Sequence, residues 1–114
     1  MAYDELMADK FRIWLAESDA GTVQEKHMFG ALGFMVDANL IACVGDRDVM
    51  YRLGAERCKE LFDQEIAVPI VMGARTMKDW VNIPFKNLDN PDRFKEYITQ
   101  SLEFSKHAIK TGEK

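Results

Sequence analysis

The chain has 114 residues, 47% of them hydrophobic and 30% charged, with a formal net charge of −4. That length and composition fit one globular domain with a sizeable core, and exclude a disordered or fibrous chain. The acidic balance argues against nonspecific nucleic-acid binding, which needs clustered Lys and Arg, and no apolar run approaches the ~18 residues that cross a bilayer.

Met1-Ala2-Tyr3-Asp4-Glu5 is acidic and no apolar h-region follows it, so no signal peptide is predicted and the expected compartment is the cytoplasm. Cys43 and Cys58 are too few for a disulfide framework and are expected to be free structural thiols. Residues 3–18 predict an amphipathic helix: Tyr3, Met7, Phe11, Trp14 and Leu15 recur at spacings of three and four, with Leu6 widening the stripe. An aromatic stripe of this kind is core against a sheet sooner than a ligand platform. Ser18-Asp19-Ala20-Gly21-Thr22 then supplies a C-terminal Gly and loop chemistry.

From Glu25 to Leu53 short apolar runs alternate with turn residues: Gly30 and Gly33, Asp37-Ala38-Asn39, and Gly45-Asp46-Arg47-Asp48. Runs too short for helices and bounded in this way predict an antiparallel meander. Leu32, Phe34 and Val36 share one face. In the next turn Asn39 is the residue expected to accept positive φ. Leu40, Ala42 and Val44 oppose Ile41 and Cys43, so both faces of that strand are apolar and it is expected to be covered on both sides. Val49, Tyr51 and Leu53 then oppose Met50 and Arg52.

Gly54 breaks the strand, and Ala55 to Phe62 predict a helix with Cys58, Leu61 and Phe62 inward. Between Gln64 and Ala74, Pro69 excludes a central strand and leaves a partly buried connection or an edge strand. Gly73-Ala74-Arg75 predicts a turn, and Met77 to Phe85 a further strand ending near Pro84. In the last segment Asn90 is an N-cap, Pro91 the first helical residue and Asp92 a dipole partner. Phe94, Tyr97, Ile98, Ser101, Leu102, Ser105, Ala108 and Ile109 form its stripe, after which Thr111-Gly112-Glu113-Lys114 is expected to fray. Phe104 falls off the stripe, which makes it a candidate for a subunit interface.

The prediction is therefore one α+β domain over residues 1–114, an antiparallel sheet flanked by helices in the order α-β-β-β(-β)-α-β(-β)-α. Lys26-His27-Met28-Phe29-Gly30-Ala31-Leu32-Gly33-Phe34-Met35-Val36-Asp37 resembles the opening strands of the TfoX N-terminal domain family. There a Lys or Arg, then Met-Phe-Gly, Gly-Phe and an Asp-Gly turn recur. Val49-Met50-Tyr51-Arg52-Leu53-Gly54 and Met77-Lys78-Asp79-Trp80-Val81 are similar to two later segments of the same family. The likeness runs over roughly residues 10–110 and marks Lys26, Met28, Phe29, Gly30, Gly33, Phe34, Asp37, Arg52 and Trp80 as family-motif residues. Ala31 and Ala38 depart from the pattern where glycines are usual, and Ala38 predicts a hairpin of different geometry. The resemblance implies a secretion-chaperone-like fold, helix, three strands, helix, two strands, helix, of a kind that often forms homodimers. The family is named for a regulator of natural competence that carries a second, helical domain. This chain ends before one, so that role is not expected to transfer directly.

No catalytic constellation is spelled out. His27 and His107 lack metal-ligand spacing, and no metal or cofactor is expected. Gly30 and Gly33 precede no helix and so do not make a phosphate loop. A nucleophilic pairing of Cys43 or Cys58 with His27 depends on tertiary proximity. Lys26, Arg47, Arg52, Arg57, Arg75 and Lys78 either gather into a basic surface or, with Asp46, Asp48, Glu56 and Asp79 interleaved, form a mixed solvated face. The expected function is a non-catalytic binding or regulatory module acting by protein–protein contact, with a homodimer and a protein or peptide partner. A nucleic-acid-associated regulator is the alternative, and a small cysteine-dependent enzyme the third reading.

Overall fold

The structure, a computed structural model, describes residues 3–28 and 30–111. Its elements are α1 (Glu5–Ser18), β1 (Val23–Met28), β2 (Ala31–Val36), β3 (Asn39–Val44), β4 (Asp48–Arg52), α2 (Ala55–Asp63), β5 (Val68–Met72), β6 (Arg75–Pro84), a single 3-10 turn (Phe85–Asn87) and α3 (Pro91–Thr111). The strands form one antiparallel sheet in the order β1-β2-β3-β4-β6-β5. The α+β class and the element order are those predicted, with the optional strands both present. The first meander thus has four strands, one more than the secretion-chaperone pattern.

Local chemistry accounts for the helix starts. The Asp4 carboxylate accepts a hydrogen bond from Met7 N at 2.9 Å and caps α1, and the Asn90 side chain accepts from Asp92 N at 2.8 Å at the start of α3. Each satisfies one of the amides a helix N-terminus leaves without an intrahelical partner. At the other end of α1 the left-handed residue is Asp19, with φ 54°, and not Gly21. A fork-shaped ion pair ties α1 to the edge of the sheet: Arg12 Nε and Nη2 donate to the two carboxylate oxygens of Glu25 at 2.7 and 2.9 Å. This contact holds the Glu25 carboxyl below its usual range.

Cross-strand partners Phe34, Ala42, Tyr51 and Val81 lie in one row across four strands, so they share a face. Residues from α1 (Met7, Phe11, Leu15), α2 (Cys58, Leu61) and α3 (Phe94, Tyr97, Ile98) join these strand residues in a single buried cluster. All three helices therefore cover the same face. At its centre Phe11 stacks on Phe34 with centroids 5.1 Å apart and meets Phe94 edge-on at 5.1 Å, an arrangement favoured by the ring quadrupoles.

Several expectations change. Leu6 does not widen the buried stripe: it is 76% exposed, on the outer side of α1. The third strand is not covered by helices on both sides. A register shift opposite Phe34 and Met35 leaves Ile41 without a cross-strand partner, and this bulge carries Ile41 to the core beside Ala42 while Leu40 pairs with Met35 on the other face. The turn after β2 places its positive φ at Asp37 (51°) and Ala38 (70°), not at Asn39, which already belongs to β3. Two left-handed residues between paired Val36 and Asn39 are the type I′ pattern, so Ala38 adopts the conformation a glycine would take and not a different hairpin. Asp37 fixes this turn from outside: its carboxylate accepts from Thr22 N and its backbone N–H donates to Thr22 O, both at 2.9 Å. β5 is an edge strand, as β1 is at the other side, and Pro69 sits where its register against β6 shifts. The side chains of Ala108 and Ile109, predicted for the α3 stripe, lie outside the described residues, as do residues 112–114.

Candidate functional site

The face of the sheet turned away from the helices is where most of the marked residues meet. Lys26 pairs with Gly33, Gly33 with Cys43, Cys43 with Met50, and Met50 with Asn82. These partners form a row across five strands on the helix-free side. Met28 is opposite Ala31 and Arg52 is opposite Trp80 on the same side. Lys26, Met28, Gly33, Arg52 and Trp80 thus come to one surface from positions 26 to 80 of the chain. Its apolar floor is built from half-buried Met28, Met35, Leu40, Met50 and Trp80, long adaptable side chains of the kind that accommodate varied partners. The remaining motif residues do other work. Phe34 is in the core, Asp37 holds the hairpin, and Gly30 turns into β2 with φ 69°. Phe29 lies outside the described residues.

At one corner of this face the end of β4 and the first half of β6 border an open hollow of about 720 Å³, lined by Arg52, Arg75, Thr76, Met77, Lys78, Asp79 and Trp80. Three cations and one carboxylate line it. Among the described residues the ion pairs are those of Arg12 and Arg57, and Arg52, Arg75 and Lys78 form none. Arg52 Nε is buried without a hydrogen-bond acceptor. The six basic residues considered from sequence do not form one patch. Lys26 is on β1, Arg47 is in the β3–β4 turn, and Arg57 on α2 is bound to Glu60 and Glu96.

Phe104 is less exposed than its place off the α3 stripe suggests. It is half-buried: α3 passes the end of β4, and the Phe104 ring sits so close to Gly54 that a Cβ there would lie 2.8 Å from two ring carbons. Gly54 also has φ 89°, so glycine is required on both counts. The guanidinium carbon of Arg52 lies over the Phe104 ring, 5.2 Å from its centroid.

A second depression, of about 230 Å³, lies between α1 and the start of α3, walled by Ile13, Trp14, Leu88, Pro91 and Phe94 with Lys10, Glu17, Asp89 and Lys95 around them. Trp14 is thereby only half-buried. No spacing rule joins α1 to residues near position 90, so this groove has no signature in the sequence. Its charges balance, and it offers shape without a directed polar group.

Cys43 and His27 do not meet. Cys43 is on the helix-free face, whereas His27 pairs with Leu32 and so lies on the opposite one, where its ring is 5.7 Å from that of Tyr3. Cys58 is buried in α2. Burial pushes both thiols up to about 11, which suppresses the reactive thiolate at neutral pH. The side chain of His107 is outside the described residues, and among those described no group of three His, Cys, Asp or Glu gathers to hold a metal. Among them, too, no helix is long and apolar enough to cross a membrane.

No curated protein matches the chain. The sequence profile of the TfoX N-terminal domain matches residues 15–105, from the end of α1 to the last third of α3. With the motif residues and element order in place, the chain belongs to the TfoX N-terminal domain family.

Proposed function

We propose that this domain is a non-catalytic, cytoplasmic binding module whose helix-free sheet face holds a protein segment rich in acidic and apolar side chains. One observation carries the reading: Lys26, Met28, Arg52 and Trp80 are gathered from distant strands onto a face that the hydrophobic core does not use. The charge of that face names the partner. The face and its corner carry Lys26, Arg52, Arg75 and Lys78 against Asp48 and Asp79, on a protein whose net charge is −4. Asp48 is further engaged by Asn82 Nδ2 at 3.1 Å. Acidic side chains would pair with these cations while apolar ones fill the methionine-lined floor. The separation of Cys43 from His27 and the raised thiols support a role without covalent chemistry.

The test is a nuclear magnetic resonance titration of the full chain with a peptide alternating Glu with Leu and Phe, at low and high salt. Shift changes confined to β1–β4 and β6, weakened by salt and lost in Lys26→Glu and Arg52→Glu, are expected. Changes centred on the α1–α3 groove, or none, would overturn the proposal. A homodimer joined through this face, detected by light scattering and abolished by Met50→Glu, would replace the partner with a second copy; like cations meeting across such an interface argue against it.

Nucleic acid is the second reading, because Trp80 beside Arg52 and Arg75 offers a base-stacking wall with phosphate partners. Retardation of single-stranded RNA at low salt, absent in Trp80→Ala, would favour it over the peptide.

A further inference from the structure

We infer that the corner hollow between β4 and β6 is a binding site for a nucleoside phosphate, with Arg52 as its anchor and Phe104 as the residue that positions Arg52. The inference does not depend on what occupies the rest of the sheet face. It begins with the Arg52 guanidinium. A guanidinium that lies over an aromatic ring uses its π face for that contact and keeps its in-plane N–H donors for an acceptor. Phe104 supplies the ring at 5.2 Å, and Arg52 Nε is buried without an acceptor of its own. A buried donor left unsatisfied is costly, and a shift of the side chain that turns Nε and a terminal N–H toward the hollow lets an oxyanion satisfy it, since planar forks match phosphate and carboxylate oxygens.

Two further cations, Arg75 and Lys78, line the same hollow without a carboxylate partner among the described residues. Three cations around one cavity exceed what a single carboxylate balances, and Asp79, the one acid in the lining, leaves a net charge of two. A phosphoryl dianion fits that excess better than a monoanion. Trp80 is directly opposite Arg52 across β4 and β6 and forms a wall of the hollow, so a flat ring attached to the phosphate can stack there. The open hollow, about 720 Å³, leaves room for a nucleotide with one side in solvent. Thr76 adds a hydroxyl that can donate or accept toward a ribose or a phosphate oxygen.

Gly54 belongs to the same device. Any side chain there would displace the Phe104 ring, and with it the support under Arg52.

Calorimetric titration of the whole chain with adenosine 5′-monophosphate, inorganic phosphate and adenosine tests the assignment. The nucleotide is expected to bind saturably, with phosphate and adenosine each at least tenfold weaker. Arg52→Gln and Trp80→Ala should each weaken the nucleotide by tenfold or more. Phe104→Leu should weaken it several-fold at unchanged thermal stability, and Phe104→Tyr should restore it, a pattern that a purely structural role for Phe104 would not produce. Phosphate binding as tightly as the nucleotide would overturn the stacking part and the nucleotide assignment with it. Nucleotide affinity unchanged in Arg52→Gln would overturn the site. The acidic peptide, titrated into the unaltered chain, separates the two readings: no saturable nucleotide binding with peptide binding intact refutes this corner alone.

Discussion

Ala38 stands in a conformation that favours glycine, and replacing it should stabilise the protein. Its φ of 70° puts the methyl group in the left-handed region, which costs an L-residue ~1–2 kcal/mol. Ala38→Gly removes that cost, while the freer unfolded chain offsets ~0.4–1 kcal/mol of the gain. Ala38 is exposed, so little packing is lost with the methyl. The net expectation is a stabilisation of about 0.5–1 kcal/mol. With urea slopes of ~1–3 kcal/mol/M for small proteins, the midpoint should rise by a few tenths of a molar unit at unchanged slope. Asp37→Gly is the control. That residue is also left-handed, at φ 51°, but its carboxylate accepts from Thr22 N. Losing this hydrogen bond, worth ~0.5–1.5 kcal/mol, should cancel the backbone gain. A midpoint for Ala38→Gly at or below the wild-type value would refute the strain argument.

Phe34→Ala and Ile98→Ala delete fully buried side chains and should each cost ~2–5 kcal/mol. Trp14→Ala should cost clearly less than Phe34→Ala, because Trp14 already faces the α1–α3 groove; equal urea midpoints for the two variants would contradict that placement. Asn90→Ala removes the cap of α3 and should cost ~0.5–2 kcal/mol, seen as loss of stability with the fold intact; no change would remove the cap from the account. The thiols set an alkaline limit. Burial raises Cys43 and Cys58 from 9.0 to about 11, so in that interval the unfolded chain has lost protons that the folded one keeps. Stability is then fully present below pH 9 and falls as the pH rises toward 11, with Tyr51 and Tyr97, also raised by burial, adding the same sign at the upper end. Urea midpoints measured across this range check the slope, and iodoacetamide at neutral pH should label the native protein far more slowly than the denatured one. Rapid labelling of either cysteine in the native state would reject the buried assignment.

What the sequence made legible was what short-range chemistry decides. The Asn90-Pro91-Asp92 start of α3 is a matter of a few backbone amides, and the alternation in β2 and β4 is carried by adjacent residues. Pro69 marked an edge strand because proline lacks the donor a central ladder needs. Ile41 was assigned to the wrong side because a bulge exists only between two strands: within β3 alone the alternation is unbroken, and only pairing with β2 shows the extra residue. The turn residue was misplaced for a similar reason. Asn tolerates positive φ best, but the bonds between Asp37 and Thr22, in the loop before β1, fix the turn one position earlier. Phe104 looked unoccupied because a helical stripe shows only what faces the sheet, and Gly54 meets that ring beyond the end of β4.

The marked residues of the helix-free face were visible singly and not as a site. Arg52 and Trp80 follow no motif spacing, and only the β4–β6 register sets them opposite one another. That register gives each strand two separable tasks. In β4, Val49 and Tyr51 are buried against the helices while Met50 faces away from them, and Arg52, in register with Trp80, extends its guanidinium to Phe104 of α3, so neighbouring positions answer to different demands. A change at Tyr51 acts on folding, because it opens a cavity beneath α3. A change at Met50 leaves the core packing in place and alters only what the open face presents, while a change at Arg52 also gives up its contact with the Phe104 ring of α3. What the open face presents can therefore vary with little penalty to the core, provided that Gly54 and Phe104 still hold Arg52 in place.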